Sequence, residues 1–201
     1  MTMLNSGGSN PANAAARSKA RRAKLVDDTR MRQLLQMTPE QLVTAIADSG
    51  YRNEIDMYSV RLSDADLIEV ALSHNLSREL TEVAGYCQGF LKTHVKVYTE
   101  RFSYQNAKVV LRSVANSVAA DQVSKVILPE ENEFNTDWLA IVSDSSTLQS
   151  AAEAMAGTPW GKALSDSTDA TLQEMEDALD RAYYSRALSA TRIQNPSSGT
   201  L

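Results

Sequence analysis

Few residues in this chain could do chemistry: two histidines, one cysteine, a lysine between glycine and alanine, and a short run of carboxylates. His74, Cys87 and His94 could begin a metal centre, but zinc takes about four ligands from His, Cys and carboxylates at tight spacing. Cys87 stands at no such spacing, and both histidines read as ordinary surface or half-buried side chains. Gly157-Thr158-Pro159-Trp160-Gly161-Lys162-Ala163 approaches a phosphate-binding loop. That loop needs a glycine five residues before Gly161 and a hydroxyl after Lys162. Ala156 and Ala163 occupy those places and a helical segment precedes them, so nucleotide binding is not expected there. Glu174, Glu176, Asp177 and Asp180 form an acidic helix face. Acid–base work by paired carboxylates calls for burial and shifted pKa values. Solvated acids favoured by a helix N-terminus are the expectation instead. Tyr183 and Tyr184 could be a recognition pair, with at least one of them in the core. No nucleophile–base constellation emerges. The expectation is a non-enzyme with no catalytic, cofactor-binding or metal residues.

The elements around these residues read as helices. Pro11 suits a first helical turn, where its missing N–H has no partner to lose. Strong helix formers then fill Ala12–Gln36. Thr38-Pro39-Glu40-Gln41 has the form of a capping box, and its helix ends near Asp48-Ser49-Gly50. Leu67, Ala71, Leu72, Leu76, Leu80 and Val83 make one apolar stripe. Gly85 and Gly89 should weaken or bend that helix before Leu91, Val95 and Tyr98 continue it to about Arg101. A further helix is expected after Ser103, with Val110, Val114 and Val118 inward. Pro129–Glu133 reads as an acidic turn. Short helices are expected around Thr136–Val142 and Thr147–Ala156, and a strong one from Thr171 to Leu188. Leu172, Met175, Leu179 and Tyr183 share one side of it.

Thr38–Ile55 aligns without gaps on Thr147–Leu164, pairing Ser49 with Thr158, Tyr51 with Trp160 and Ile55 with Leu164. Both aromatics are expected to be buried beside the aliphatic residue that follows. Repeated helical modules fit a scaffold better than an enzyme pocket.

At 201 residues, 43% hydrophobic and 22% charged, the chain can build a core and is not of disordered composition. No run approaches the roughly 18 apolar residues of a membrane-spanning helix, and Met1–Asn10 lacks a secretory pattern. The lone cysteine excludes an internal disulfide and fits a reducing cytosol. There, the acceptor triplet Asn75-Leu76-Ser77 is a chance match. The formal net charge of −5 is uneven. Seven basic side chains (Arg17, Lys19, Arg21, Arg22, Lys24, Arg30, Arg32) against Asp27 and Asp28 leave the first 36 residues at +5 and the remainder at −10. A basic start on an acidic body could meet nucleic acid, an anionic membrane or an acidic protein. Without interleaved aromatics, nucleic acid is not expected.

Several segments, in order, resemble the C subunit of archaeal-type rotary ATP synthases, whose relative in vacuolar ATPases is the d subunit. Ser9-Asn10-Pro11 with Ala16-Arg17 and Ala20-Arg21-Arg22 is similar to the start of haloarchaeal members. Ala71-Leu72-Ser73-His74-Asn75-Leu76 resembles the family's A-L-x-x-N-L segment. Phe102 to Arg112 is similar to its F-D-x-x-N-x-K-x-x-x-R segment, with Ser103 in place of Asp. Ile127-Leu128-Pro129 and Gly157-Thr158-Pro159-Trp160-Gly161 resemble two of its turns, and Ala178 to Tyr184 its A-L/V-D-R-x-Y/F-Y segment.

The resemblance implies an all-α fold of nested, pseudo-symmetric helical modules, part of a funnel-shaped socket. It implies a mobile start over 1–10, a helical region over 11–190 and a frayed tail over 191–201. Within the helical region, 11–62 would be an outer module half, 63–101 a middle module half and 102–190 an inner module. The implied role is a non-catalytic part of the central stalk on the cytoplasmic face of the membrane. Its partners would be the shaft subunits and the membrane proteolipid ring, with no direct nucleotide and no cofactor. The alternative is a stand-alone cytosolic helical adaptor holding an anionic partner through its basic first helix. Family members continue with another half of similar design. Ala12–Gln36, with its Leu25, Leu34 and Leu35 side, and part of Leu67–Tyr98 are therefore expected to lack intrachain partners.

Overall fold

The computed structural model describes residues 8–127, 136–166 and 169–192. The expected turn at Pro129–Glu133, the tail from Gln194 and residues 1–7 lie outside the described residues. Those described hold helices and no strand, so the fold is all-α. The chain divides into two compact units, meeting between Lys92 and Thr93.

The first unit holds α1 (Pro11–Arg22), α2 (Asp28–Leu34), α3 (Pro39–Ile46), a stretch kinked at Gly50 (Ala47–Tyr51), α4 (Arg52–Tyr58) and α5 (Asp64–Tyr86). The single helix expected over Ala12–Gln36 is two. Asp27 accepts a hydrogen bond from the Arg30 N–H at 2.7 Å and starts α2 anew. A short acid so placed satisfies an orphan donor of a new helix better than it extends an old one. Thr38 and Gln41 form the expected reciprocal capping box. Leu34, Ile46, Ile55, Leu67 and Ala71 meet in the core of this unit.

The bent helix expected through Gly85 and Gly89 is instead broken. Helix α5 ends at Tyr86, Cys87 is extended, and α6 (Gly89–Ala115) begins with Gly89 at a left-handed φ of 57°. The Asn10 side chain occupies the gap, donating to the Tyr86 carbonyl and accepting from the Gln88 N–H. Backbone groups orphaned by the break thus find partners.

In the second unit, α6 runs through Ser103 without a new start, and Ser103 itself is buried. Val110 is inward as expected, whereas Val118, in the turn beyond the helix, is exposed. Then follow α7 (Ala120–Val123), α8 (Trp138–Asp144), α9 (Leu148–Ala154), α10 (Pro159–Ala163) and α11 (Leu172–Arg192). Leu111, Met155, Trp160, Met175 and Leu179 are the largest apolar side chains sealed in the core. Trp138 and Tyr104 pack on Trp160 at ring-centroid distances of 5.5 and 6.1 Å.

The repeat extends beyond the aligned segment. The order α2, α3, α4, α5 recurs as α8, α9, α10, α11, with Asp27, Thr38 and Ser63 answered by Asp137, Thr147 and Thr171 at the helix starts. Left-handed Gly50 and Gly157 divide the two short helices of each set. These glycines do not match in the ungapped alignment. In the first set the chain kinks at Gly50, inside the stretch Ala47–Tyr51. Tyr51 therefore follows its glycine directly and is half-buried, whereas Trp160 sits inside α10 at 1% exposure. Equal burial of the two rings does not hold.

Candidate interaction surface

The potential chemistry resolves into packing. His74 Nδ1 is hydrogen bonded to the Tyr58 hydroxyl at 3.1 Å, joining α5 to α4. His94 lies half-buried on α6, and Cys87 is buried. No group of three or more His, Cys, Asp or Glu placed to hold a metal occurs among the described residues. The glycine-rich segment is a helix start. Thr158 Oγ1 donates to the Met155 carbonyl at 2.7 Å and accepts from the Gly161 N–H at 2.9 Å. Pro159 fills the first turn, and a Cβ on Gly161 would strike the Met155 carbonyl.

The acidic face is not wholly solvated, contrary to expectation. Glu176 is 9% exposed and receives both Nε and Nη2 of Arg112, at 2.5 and 2.7 Å. Lys108 reaches Asp180 at 2.6 Å, and Arg186 reaches back to Glu100. These three pairs lay α6 antiparallel along α11. The Glu176 hydrogen bonds push the Arg112 guanidinium further up from its ordinary value. Glu174 is exposed and accepts from the Thr171 backbone N–H, which holds its carboxyl below the usual range. Tyr183 packs tilted against Tyr104, and burial raises both phenols. Tyr184 is 62% exposed.

The basic start is partly engaged within its own unit. Arg21 pairs with Glu79 and Glu82, and the Arg17 guanidinium lies 4.5 Å from the Tyr86 ring centroid. With Asn10 at Tyr86, these contacts set α1 antiparallel on the C-terminal half of α5. Leu34 is buried, while Leu25 and Leu35 are exposed. Glu54, at 1% exposure on α4, is held by Arg78 at 2.7 Å and Asn75 at 3.3 Å. This pair carries no signal in the sequence, because Glu54 sits in a polar run.

The stripe on α5 is wider than one contact. Leu67 and Ala71 are sealed in the core, whereas Leu72, Leu76 and Val83 line a hollow of about 890 Å³. Its other walls are the C-terminal half of α1 with the turn that follows it and the kinked stretch Ala47–Tyr51, with Tyr51 and Leu25 apolar and Arg22 and Lys24 cationic. The excess width of the stripe is the one sequence signal that could have revealed this groove. Among the described residues, no helix is long and apolar enough to cross a membrane.

Comparison with known proteins places a family on this geometry. The family described as ATP synthase (C/AC39) subunit matches residues 14–200. The A-type ATP synthase C subunit of Haloquadratum walsbyi is 33% identical over 188 residues, covering 90% of this chain and 54% of that protein. Its counterpart in Haloferax volcanii is 28% identical over 191 residues, covering 92% and 55%. That of Methanosarcina acetivorans is 27% identical over 184 residues, covering 92% and 51%. The chain thus spans about half the length of the curated relatives it matches.

Proposed function

The chain belongs to the ATP synthase (C/AC39) subunit family, and on that premise we propose that it is a non-catalytic part of an A-type rotary ATP synthase. Its place is the central stalk, where it couples the rotating shaft to the proteolipid ring from the cytoplasmic side. The observation that carries this reading is the family match over residues 14–200. The fold is compatible: repeated helical modules, tied by ion pairs whose carboxylates are buried, such as Arg112–Glu176 and Arg78–Glu54, suit a part that bears load. In this role the helical modules nest as a socket, and the chain transmits torque without reacting with nucleotide.

The adaptor reading draws on the basic first helix, but Arg21 and Arg17 are engaged with α5. That helix is not a free arm, and the stalk reading is preferred. Affinity purification of the tagged chain from its native membranes tests it. Recovery of shaft and ring subunits together supports the stalk role, and recovery of neither counts against it.

A further inference from the structure

No proline makes the break between α5 and α6: residues 64–115 contain none, and glycine weakens a helix without having to end it. The chain is helical up to Tyr86 and again from Gly89. Between them Cys87 is extended, at φ −80° and ψ 142°, and Gly89 takes its left-handed φ of 57°. The polar groups that meet the break come from the start of the chain. Asn10 Oδ1 accepts from the Gln88 N–H at 2.9 Å, and Asn10 Nδ2 donates to the Tyr86 carbonyl at 2.8 Å. The Ser18 hydroxyl lies 2.8 Å from that of Tyr86, and the Arg17 guanidinium covers the Tyr86 ring. Further up α5, Arg21 closes on Glu79 and Glu82. All of these contacts lie within the first unit.

Asn10 and a continuous helix compete for the same atoms. Were α5 to run on into α6, the Gln88 N–H would bond the Ala84 carbonyl and the Phe90 N–H the Tyr86 carbonyl. One N–H cannot serve both Asn10 and Ala84 at good geometry. Docking of α1 and continuity of the long helix therefore exclude each other at Gln88. Helix α1 acts as an intrachain ligand of the broken form and shifts the balance by contacts that only this form offers. We propose that α1 is a latch: docked, it holds the α5–α6 break, and released, it lets residues 86–90 close the break into one continuous helix. Cys87 and Gly89 then turn to helical angles, and Gly89 leaves the left-handed region. The latch is made of polar contacts at or near the surface, the class that opens locally before a core does. It stands apart from the stalk reading, since every group in it belongs to this chain.

Residue-resolved hydrogen exchange of the full chain reads the two states, because the amides of residues 88–92 join the helical ladder only when the helix is continuous. Asn10→Ala is expected to slow exchange there by about tenfold or more, while residues 11–22 exchange faster as α1 lets go. Gly89→Ala acts from the other side, since a side chain resists the left-handed turn and favours the helix. It is expected to slow the same amides and to loosen α1 as well. Asn10→Asp keeps the acceptor for the Gln88 N–H, and its exchange at 88–92 stays within about threefold of the wild type. An Asn10 that only braces two helix ends would let them fray on its loss. Unchanged or faster exchange at 88–92 in either alanine variant, local or through the whole first unit, would therefore overturn the proposal. Slowing by Asn10→Asp equal to that by Asn10→Ala would overturn it too.

Discussion

The side-chain amide of Asn10 holds the end of α5 to the start of α6, accepting from the Gln88 N–H at 2.9 Å while donating to the Tyr86 carbonyl at 2.8 Å. Segments far apart in sequence are locked at one point, and the amide supplies both a donor and an acceptor. Asn10→Ala leaves both backbone groups without this partner and is expected to destabilise the first unit by about 1–3 kcal/mol. Asn10→Asp keeps the acceptor but loses the donor, and falls between. Urea melts of the three proteins check the order.

The Arg112–Glu176 pair lies between the two long helices of the second unit, with the carboxylate buried and the guanidinium half exposed. Arg112→Ala strands that carboxylate, at an expected cost of about 1–3 kcal/mol after allowing for solvent at the arginine. Replacing both residues together with Met and Leu is expected to recover most of the loss. A double-mutant cycle in denaturant measures this coupling.

Trp160→Ala opens a cavity under Trp138 and Tyr104 and is expected to cost about 3–5 kcal/mol. Tyr51→Ala, at the half-buried counterpart, is expected to cost under about 2 kcal/mol. Gly161→Ala forces a methyl group against the Met155 carbonyl, and a loss of about 1–3 kcal/mol follows. Thermal melts of the three variants test the ranking.

Burial first, and Glu100 second, raise the Tyr104 phenol above its ordinary value. The folded chain therefore keeps a proton that the unfolded chain gives up. The stability this contributes is complete below the unfolded value near ~10 and is lost as pH rises through the folded one. Denaturant midpoints should fall between about pH 9 and pH 11. The fall should be smaller in Tyr104→Phe, where that ionisation is gone.

Local chemistry made much of the fold readable from residue types. The Thr38 and Thr147 caps, Pro11 and Pro159 in first turns, and the Met175–Leu179 stripe act within a turn or two of chain, so their signals stand in sequence. Asp27 could have been read the same way as a second helix start. The break at Cys87 and the continuity through Ser103 depend on partners distant in sequence, Asn10 in the first case and α11 in the second. Glu54 and Glu176 look like surface acids until Arg78 and Arg112 are brought beside them by tertiary packing. The groove was half legible: the width of the α5 stripe signalled more than one neighbour, but not which part stays open.

Chemical cross-linking of native membranes, read by mass spectrometry, tests the stalk assignment most directly. Lys19, Lys24 and Lys162, all exposed, serve as reporters on the two units. Cross-links from this chain to both shaft and proteolipid-ring subunits of one A-type ATP synthase are the expected result. A fully assembled synthase that lacks the chain, with its cross-links confined to unrelated proteins, would contradict the stalk role.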